Sequence, residues 1–509
     1  MSSLDVVAIG AGHNGLIAAT YLAKAGLKTL IVEQRDCVGG VSSSIESFPG
    51  FKYHPFHTGR VDSLRPEIIC DLGLSTFGFE PIELEPRYTV IFPHGEHLSI
   101  HSNPTSTAQE IARFSINDAA AVRELGSYWK ELAKLIPNEL KAPPSFAEFI
   151  ASASASPQAA EMLRTVFFGT VDKFLRQHFE SELVQAALVV AAQLGAEHGP
   201  SAQCVGTFPL LFCSTDPWKV ALGGLGRIAE VLQASATASG VEFLFGRKVE
   251  EILIEGGQCR GVRLSNKKII ESTAVVSGLA ARTTFLDMIA AGRLDCSFCR
   301  RVARINYQPG GISLSLALRE LPQLPMPRTN YRGCFAICPS LDYAEEAFHS
   351  CTMREMPKSP LLFGIVPSFF DSSLAPPGCH VMHLYAHPFP YELRSGNWLD
   401  RKREAIDKVI EALAEQVPNL RTSILDVQAF TPCEAEQLLS LPRGDAGHGV
   451  CSWDQQWFFR PPYGRTDFRT PIPNLYLCGP DIFPGHNTTS GASGYNAAHA
   501  VIEDRNRCE

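Results

Sequence analysis

Short apolar runs at the start of the chain flank one helical segment, and this order predicts a β-α-β unit. Val6 to Ile9 is a continuous apolar run that ends at a glycine, which is typical of a buried parallel strand. Leu16 to Ala25 carries apolar residues at helical spacing, and Gly26 stands where a left-handed residue commonly ends a helix. Thr29 to Val32 is the second apolar run, so it predicts the second strand.

Later elements follow from the period of their apolar positions. The Ala/Ser run 151–156 predicts an exposed loop, and the alternation at 312–318 predicts a half-buried strand. The apolar run 183–196 is broken by two glutamines, so it predicts a buried helix that is too short to cross a membrane. The other predicted elements are a hairpin at 87–100, helices across 105–195, at 228–238, at 405–417 and from about 494, and strands at 249–254, 261–264, 274–277 and 475–478.

Composition places the chain among folded proteins with a large core. Of its 509 residues, 45% are hydrophobic and 19% are charged, and the mean hydropathy is zero. These values exclude a disordered chain, a collagen and a coiled coil. The net charge of −8 argues against a nucleic-acid-binding protein, which normally carries a basic excess, and it provides no broad attraction to anionic lipid.

The 15 cysteines are scattered through the chain. Disulfide-dense folds are much shorter, so we expect mostly buried, reduced thiols in a reducing compartment such as the cytoplasm or an organellar matrix. Cys296 and Cys299 form a C-x-x-C pair, and Cys334 and Cys338 follow, but this spacing is unlike that of a two-pair zinc site. We therefore expect no metal. No charged-then-apolar leader precedes the first strand, so we expect no secretion.

A glycine-rich turn joins the first strand to the first helix. Gly10, Gly12 and Gly15 form G-x-G-x-x-G, and Glu33 ends the second strand. Such glycines permit a tight turn and close approach of a pyrophosphate to the helix N-terminus, and the acidic residue accepts hydrogen bonds from a ribose. The motif therefore predicts a dinucleotide site. It is the one complete fingerprint of this kind in the sequence, so we expect no second domain for a nicotinamide cofactor.

The segment after Glu33 distinguishes between the dinucleotides. A second glycine pair, Gly39-Gly40, follows closely, and the whole of this region resembles the FAD-binding amine oxidase and phytoene desaturase superfamily. The resemblance implies that FAD is the cofactor and that Arg35 and the glycine pair lie close to it. Val41 stands where the family usually has arginine, so one phosphate contact is missing or is supplied elsewhere.

Two segments near the end of the chain, 474–481 and 484–498, resemble the second FAD-binding region of the phytoene desaturase group. There the last strand and the following helix hold the ribityl chain and the flavin. The resemblance implies that Gly479, Asp481 and Gly485 lie at the cofactor, and that Asp481 contacts the ribityl chain or the pyrophosphate.

The resemblance spans nearly the full chain. Val249 matches the position whose backbone contacts adenine in this superfamily. A redox disulfide is not expected, because Cys37 stands alone after the first motif. Motifs in four further places match the subgroup called pyridine nucleotide-disulphide oxidoreductase domain-containing protein 2, namely 48–52, 64–66, 371–378 and 454–471.

The predicted fold class is α/β, with a discontinuous Rossmann-type FAD-binding domain and an inserted α+β substrate domain of helices and a mostly antiparallel sheet. The predicted FAD-binding domain comprises 1–75, 220–305 and 445–509, and the substrate-binding domain comprises 76–219 and 306–444.

The resemblance implies an FAD-dependent oxidoreductase that abstracts hydride from a small apolar molecule, isoprenoid-like in character, in a desaturation or dehydrogenation. The alternatives are a redox-neutral isomerase or saturase, an amine-oxidase-type oxidation, and a non-enzymatic FAD-binding interaction protein. The resemblance admits a peripheral membrane contact. The substrate, the electron acceptor and the oligomeric state stay open.

Two histidines are the candidate catalytic residues. His486 stands in a loop that is polar where the family usually has glycines, and His57 follows the first FAD-binding region. Either could face the substrate, and either could instead bond to a backbone carbonyl or to the cofactor. His383, Tyr385 and His387 share one face of a predicted strand, which lines a cavity or packs within a sheet.

Overall fold

Two seven-stranded sheets form the framework of this protein, seen in a computed structural model. The residues that the structure describes are 4–56, 60, 64–133, 140, 146–154, 157, 160, 161, 164, 169–193, 198–202, 217–308, 310–450, 452–455, 459, 460, 468–483, 485 and 490–508. The strands, numbered in chain order, are β1 (Leu4–Ile9), β2 (Thr29–Val32), β3 (Ile45–Phe48), β4 (Phe51–Tyr53), β5 (Pro81–Leu84), β6 (Tyr88–Ile91), β7 (His97–Ile100), β8 (Trp218–Ala221), β9 (Glu242–Leu244), β10 (Val249–Glu255), β11 (Gln258–Leu264), β12 (Ile269–Ser277), β13 (Ile312–Leu318), β14 (Cys334–Ile337), β15 (Leu361–Ile365), β16 (His380–His387), β17 (Ile424–Phe430) and β18 (Leu475–Leu477).

The helices of the described residues cover the faces of these sheets. They are α1 (His13–Lys24), α2 (Pro66–Asp71), α3 (Pro104–Ile111), α4 (Ile116–Ala133), α5 (Phe146–Ala153), α6 (Val171–His178), α7 (Glu182–Gln193), α8 (Gly226–Ala238), α9 (Cys296–Ala303), α10 (Leu341–Thr352), α11 (Trp398–Ala414), α12 (Leu420–Ser423), α13 (Pro432–Leu439) and α14 (Ala492–Cys508). Within the described residues, no helix combines the length and the apolar character that crossing a bilayer requires.

The first sheet has the strand order β10-β11-β12-β1-β2-β9, with β18 also paired to β12. Strand β1 pairs in parallel with β2 and β12, and β9 and β18 extend the parallel part on either side. Helix α1 packs against both α8 and α14. Strands β1 and β2 are mostly buried, which explains their unbroken apolar sequences. The carboxyl ends of the parallel strands meet at one edge, where folds of this type bind ligands.

The second sheet has the order β17-β13-β16-β15-β14-β6-β7, and only the β14–β6 pair is parallel. The strand predicted at 312–318 is confirmed as β13, but the prediction that it is half-buried was wrong, because all of its residues except Ser313 are buried. Leu314 and Leu316 pack in the core that α11 closes on one face, and Ala317 packs against Tyr53 on the other. The small and polar residues at alternate positions of β13 therefore allow close packing on its second face, and they do not indicate that this face is exposed to solvent.

Most of the other predicted helices and strands are present in the structure. The prediction of a loop at 151–156 was wrong for residues 151–153, which continue α5, and residues 155 and 156 lie outside the described residues. Alanine is the best helix former, so an alanine-rich run at the surface extends a helix readily. Gly26 adopts a φ of +85° beyond the end of α1, as predicted. The structure confirms the strands of the first β-α-β unit, the hairpin β6–β7, the helices α8, α11 and α14, the buried helix α7 and the strands β10, β11, β12 and β18.

Buried polar groups connect the second sheet to the start of α8. The imidazole rings of His54 and His383 are stacked with their centroids 4.1 Å apart. His54 Nε2 accepts the N–H of Leu225 at 2.9 Å, and His383 Nδ1 lies 3.0 Å from the hydroxyl of Ser315. Because burial, together with the neighbouring His54, holds the pKa of His383 well below its usual value, this imidazole is neutral at pH 7.

His387, on the same strand, makes the stability of the fold dependent on pH. Burial lowers the pKa of His387 to about 4, whereas the unfolded residue titrates near ~6.5. The unfolded state therefore binds more protons between these values, and stability is lost as the pH falls through that window. The unfolding free energy of the unmodified protein should fall between pH 7.5 and pH 4.5. We expect this fall to be smaller by about 2 kcal/mol in His387→Gln.

Urea unfolding with FAD in excess at each pH measures this difference. The exposed His349 on α10 provides the matched control, because His349→Gln removes an imidazole that has no burial to lose. A pH dependence in His387→Gln equal to that of the unmodified protein would show that the imidazole is already accessible to protons in the folded state.

Candidate functional site

A cavity of about 450 Å³ lies at the carboxyl ends of the parallel strands of the first sheet. The residues that follow β1, β2 and β12 form one wall, and Pro480, beyond β18, completes it. Residues from the segments 247–250, 282–288 and 436–448 also line the cavity. The last of these segments lies largely within the range predicted for the substrate-binding domain, so the cofactor cavity extends beyond the predicted FAD-binding ranges.

The glycine-rich turn forms a cradle in this cavity. Gly10 adopts a φ of +93°, and its N–H donates to the carbonyl of Val32 at 2.8 Å. A Cβ on Gly15 would stand 2.3 Å from the carbonyl oxygen of Gly10, so only glycine allows α1 to pack so closely on the turn. Gly12 differs, because a Cβ there would have no protein atom within 4 Å and would project into open space. The turn is therefore shaped for a ligand.

The N-terminus of α1 faces the same space. No side chain caps this helix, and no acidic residue occupies its first turn. The first N–H groups of a helix without such a cap commonly bind anions, and the helix dipole favours negative charge there. The amide oxygen of Asn14 is buried and has no hydrogen-bond partner among the described residues. A pyrophosphate beside these N–H groups and a hydroxyl near this oxygen fit the residues present.

Glu33 is held rigidly at the end of β2. Its two carboxylate oxygens accept the N–H groups of Ala11 at 2.7 Å and Arg35 at 2.9 Å. Each oxygen retains a second lone pair, which can accept a ribose hydroxyl. The N–H of Gly39 donates to the carbonyl of Ala11 at 2.8 Å, so the second glycine pair lies directly on the first turn.

Nine of the twelve predicted cofactor residues line the cavity. They are Gly10, Gly12, Gly15, Glu33, Arg35, Gly39, Gly40, Val41 and Val249. The other three, Gly479, Asp481 and Gly485, are buried and do not line this cavity. The carboxylate of Asp481 accepts the N–H of Ala281 at 2.8 Å and pairs with His448 Nδ1 at 2.5 Å, so protein groups occupy both of its oxygens.

Several lining residues escaped the sequence analysis. Arg247, Lys248 and Arg282 bring positive charge to the wall, which suits the phosphates of a dinucleotide. The segment 438–442 also lines the cavity, and Gln34 donates to Ser440 Oγ at 3.3 Å across it. These residues belong to no local motif. They are identified as cavity residues only because the fold brings them together there.

The two candidate catalytic histidines, His57 and His486, lie outside the described residues, so both stay predictions. The trio on β16 is placed more clearly. His383 and His387 are buried, and Tyr385 stacks on His387 with the ring centroids 5.4 Å apart. The sheet-packed alternative for these residues is therefore the one that the structure supports.

The segment 445–449, at one end of the cavity, is braced by two buried charged residues. Asp445 accepts the N–H groups of Gly447 at 2.8 Å and Gly449 at 3.0 Å. The guanidinium of Arg460 donates to the carbonyls of the same two glycines at 2.9 and 2.8 Å. Burial raises the pKa of Asp445 to about 6. These four hydrogen bonds hold the backbone of the segment on either side of His448.

The described cysteines are free, and fewer of them are buried than predicted. Cys259, Cys334, Cys338 and Cys478 are buried, and Cys37, Cys70 and Cys296 are exposed. Burial raises the pKa of the Cys338 and Cys478 thiols to about 12, so these two are unreactive. Within the described ranges, no group of three or more histidine, cysteine, aspartate or glutamate side chains could hold a metal ion.

Replacing Glu33 tests the ribose end of the cavity. We expect Glu33→Ala to weaken FAD binding by about tenfold and to leave an apoprotein that excess FAD reconstitutes, because one charge-assisted contact is lost while the glycine turn remains. Fluorescence titration of the apoprotein with FAD measures this loss. Glu230→Ala, on the exposed face of α8, is the control. Unchanged affinity in Glu33→Ala would place the ribose elsewhere.

This fold and cavity define a Rossmann-type flavoprotein. Residues 15–284 match the family model described as flavin containing amine oxidoreductase, and the chain belongs to that family. It is therefore an FAD-dependent oxidoreductase, and the predicted family and cofactor are confirmed.

Comparison with known proteins agrees with this assignment. The chain is 29% identical to the pyridine nucleotide-disulfide oxidoreductase domain-containing protein 2 of Mus musculus, over 98% of its own length and 93% of that protein. It is 25% identical to the lycopene-forming phytoene desaturase of Pseudescherichia vulneris, over 98% and 99%. A solved oxidoreductase from Methanosarcina mazei is 17% identical, covers 98% of this chain and 100% of its own, and has a TM-score of 0.64, which supports the α/β FAD-binding fold.

Proposed function

We propose that this protein dehydrogenates a small, largely apolar molecule of isoprenoid character by removing hydride from a carbon–hydrogen bond. The observation that carries the proposal is the cavity at the carboxyl ends of β1, β2 and β12, where the glycine turn and α1 are shaped for a dinucleotide. When bound there, FAD supplies a ring that accepts hydride. The similarity to a phytoene desaturase over nearly the whole chain supports desaturation as the type of reaction.

The residues of this chain bind and orient the two reactants. The open space above Gly12 and the N-terminus of α1 receive the pyrophosphate, and Glu33 receives the adenosine ribose. We propose that the second sheet and its helices, within 76–219 and 306–444, hold the substrate and exclude water. Fixed orientation of this kind supplies much of the rate acceleration when two reactants must meet.

Anaerobic mixing of the flavin-loaded protein with a panel of compounds tests this function. The panel contains a cyclic monoterpene, an acyclic carotene precursor and a primary amine. We expect the isoprenoids to bleach the oxidised flavin, and oxygen or a quinone to restore its absorbance. Bleaching by the amine alone would indicate amine oxidation, and product formation without bleaching would indicate an isomerase. Absence of both bleaching and product with the whole panel would reject the proposal.

His486 stays the predicted residue at the reacting end, on the resemblance alone. We expect His486→Ala to slow substrate-dependent flavin reduction by about 10²–10⁴-fold with the flavin content unchanged, because a positioned imidazole contributes that much when it orients the substrate or moves a proton. Stopped-flow absorbance of the fully loaded variant measures the rate, and the exposed His349→Ala is the control. An unchanged rate would leave His486 with a structural role.

A further inference from the structure

His448, in the segment 445–449, lines the cofactor cavity. Its ring also contacts Asp481, which is one of the predicted cofactor residues. The imidazole is 6% exposed and lines the cavity together with Pro480 and Ala446. Its Nδ1 lies 2.5 Å from Oδ2 of Asp481. A ring N–H that donates to a carboxylate forms a charge-assisted hydrogen bond, which is stronger than a neutral one.

Asp481 does not line the cavity in this arrangement. Its side chain is 1% exposed, and its other oxygen accepts the N–H of Ala281 at 2.8 Å. The backbone N–H of Ala281 follows β12 and Asp481 follows β18, so the carboxylate links the ends of two neighbouring parallel strands. The ring that stands between this carboxylate and the cavity is that of His448.

The surrounding structure holds the imidazole in place. His448 adopts a φ of +55°, which costs a non-glycine residue about 1–2 kcal/mol. Asp445 and Arg460 offset that cost by binding the N–H and C=O groups of Gly447 and Gly449 on either side of it. Sparsely populated backbone conformations that are so firmly enforced cluster at ligand sites.

The ring has one nitrogen left for a ligand. With the Nδ1 proton donated to Asp481, Nε2 is the second position, and no described residue bonds to it. Asp481, Asp445 and Arg460 are the buried charged residues near the ring. Arg282 also lines the cavity, and its backbone N–H lies close to the hydroxyl of Tyr307. A ring held by a buried carboxylate on one side and bordering the cavity on the other suits a ligand with polar hydrogen-bonding groups.

We propose that His448 binds a polar group of the sugar–phosphate chain of FAD through Nε2, and that Asp481 is a positioning residue that acts through this imidazole. The resemblance implied a direct contact from Asp481, and the geometry transfers that contact to His448. The proposal depends on the FAD cofactor and is independent of the proposed substrate.

Affinity measurements on the apoprotein test the contact. We expect His448→Leu to weaken FAD binding by about 10- to 100-fold, the loss typical of a charge-assisted hydrogen bond, while the thermal stability of the apoprotein stays close to that of the unmodified protein. His448→Gln retains a donor amide, so we expect it to restore most of the affinity. His349→Leu, at the exposed face of α10, is the control for the loss of an imidazole.

A double-mutant cycle tests the role of Asp481. If Asp481 acts through His448, Asp481→Asn weakens FAD binding in the unmodified background and has little further effect beside His448→Leu. Additive losses would mean that Asp481 contacts the cofactor independently, which would overturn the positioning role.

Titration with ADP locates the contact along the cofactor. Equal losses for ADP and FAD in His448→Leu place it at the phosphates, and a loss for FAD alone places it at the ribityl chain. Unchanged FAD affinity in His448→Leu would overturn the proposal. So would a loss of FAD that is matched by an equal loss of apoprotein stability and is not restored by glutamine.

Discussion

Gly12→Val is expected to give a folded protein that is isolated almost without flavin. The backbone at Gly12 has φ −67° and ψ 165°, a conformation that valine adopts without strain. The new side chain meets no protein atom and instead fills the space beside the N-terminus of α1 where the pyrophosphate would lie. Crowding of this kind costs about 1–3 kcal/mol, which corresponds to a loss of FAD affinity of about 10- to 100-fold.

The flavin-to-protein absorbance ratio and the FAD affinity of the apoprotein measure this effect. Thermal unfolding adds a second readout, because a ligand bound only by the native state raises its stability and the variant loses that increment. Gly126→Val, in α4, is the matched control, because a Cβ there also meets nothing within 4 Å but lies away from the cavity. A Gly12→Val protein with a full complement of flavin would show that the pyrophosphate does not pass this turn.

Gly15→Ala separates the two functions of the glycine turn. Its Cβ would press on the carbonyl oxygen of Gly10 at 2.3 Å, so α1 must shift even in the absence of cofactor. We expect this variant to lower the stability of the apoprotein itself, whereas Gly12→Val leaves the apoprotein stable.

Arg460→Met is expected to destabilise the protein by about 3–5 kcal/mol, the cost typical of removing one member of a buried charged network. The guanidinium is 0% exposed. Besides the carbonyls of Gly447 and Gly449, it donates to those of Gln455 at 2.8 Å and Pro480 at 2.5 Å. Methionine fills a similar volume but donates to none of these four oxygens, and it leaves the carboxylate of Asp445 without its compensating charge.

Urea unfolding with FAD present in excess measures the change in unfolding free energy. Arg403→Met is the matched control, because that side chain is 81% exposed and its ion pair with Asp407 contributes about 0.5 kcal/mol or less. The loss of unfolding free energy in Arg460→Lys should lie between those of the two methionine variants, because lysine retains the charge but cannot reach all four carbonyls. A loss of unfolding free energy below about 1 kcal/mol in Arg460→Met would mean that water reaches these carbonyls. Arg460 would then not be needed to hold the segment 445–449.

The first FAD-binding segment was predictable because its information is local. The strand, the three glycines and the helix follow one another within a few residues. Gly10 and Gly15 are required by the backbone, and Gly12 leaves space for a ligand. Glu33 lies one short strand further on. Nine predicted cofactor residues consequently line one cavity. The alternating positions at 312–318 were misread because the same pattern arises when two different layers of protein cover a strand.

The predicted contact of Asp481 illustrates the limit of reading motifs. The resemblance places this residue at the cofactor, and the structure buries its carboxylate between Ala281 and His448. No pattern in the sequence joins these three residues, because 200 positions separate Ala281 from Asp481 and 33 separate His448 from it. The same is true of Gln34 and Ser440, which are 406 positions apart.

The sequence by itself determined the periods of its strands and helices, the glycines that their turns require, and the class of cofactor, because each of these depends on residues close together in the chain. Only the tertiary structure decided which charged groups meet at the cavity. The contacts of Asp445, His448, Arg460 and Asp481 depend on the ends of strands from distant segments being brought to one edge of a sheet. Their energies come from burial and exact hydrogen-bond geometry, and neither is encoded in any one stretch of residues.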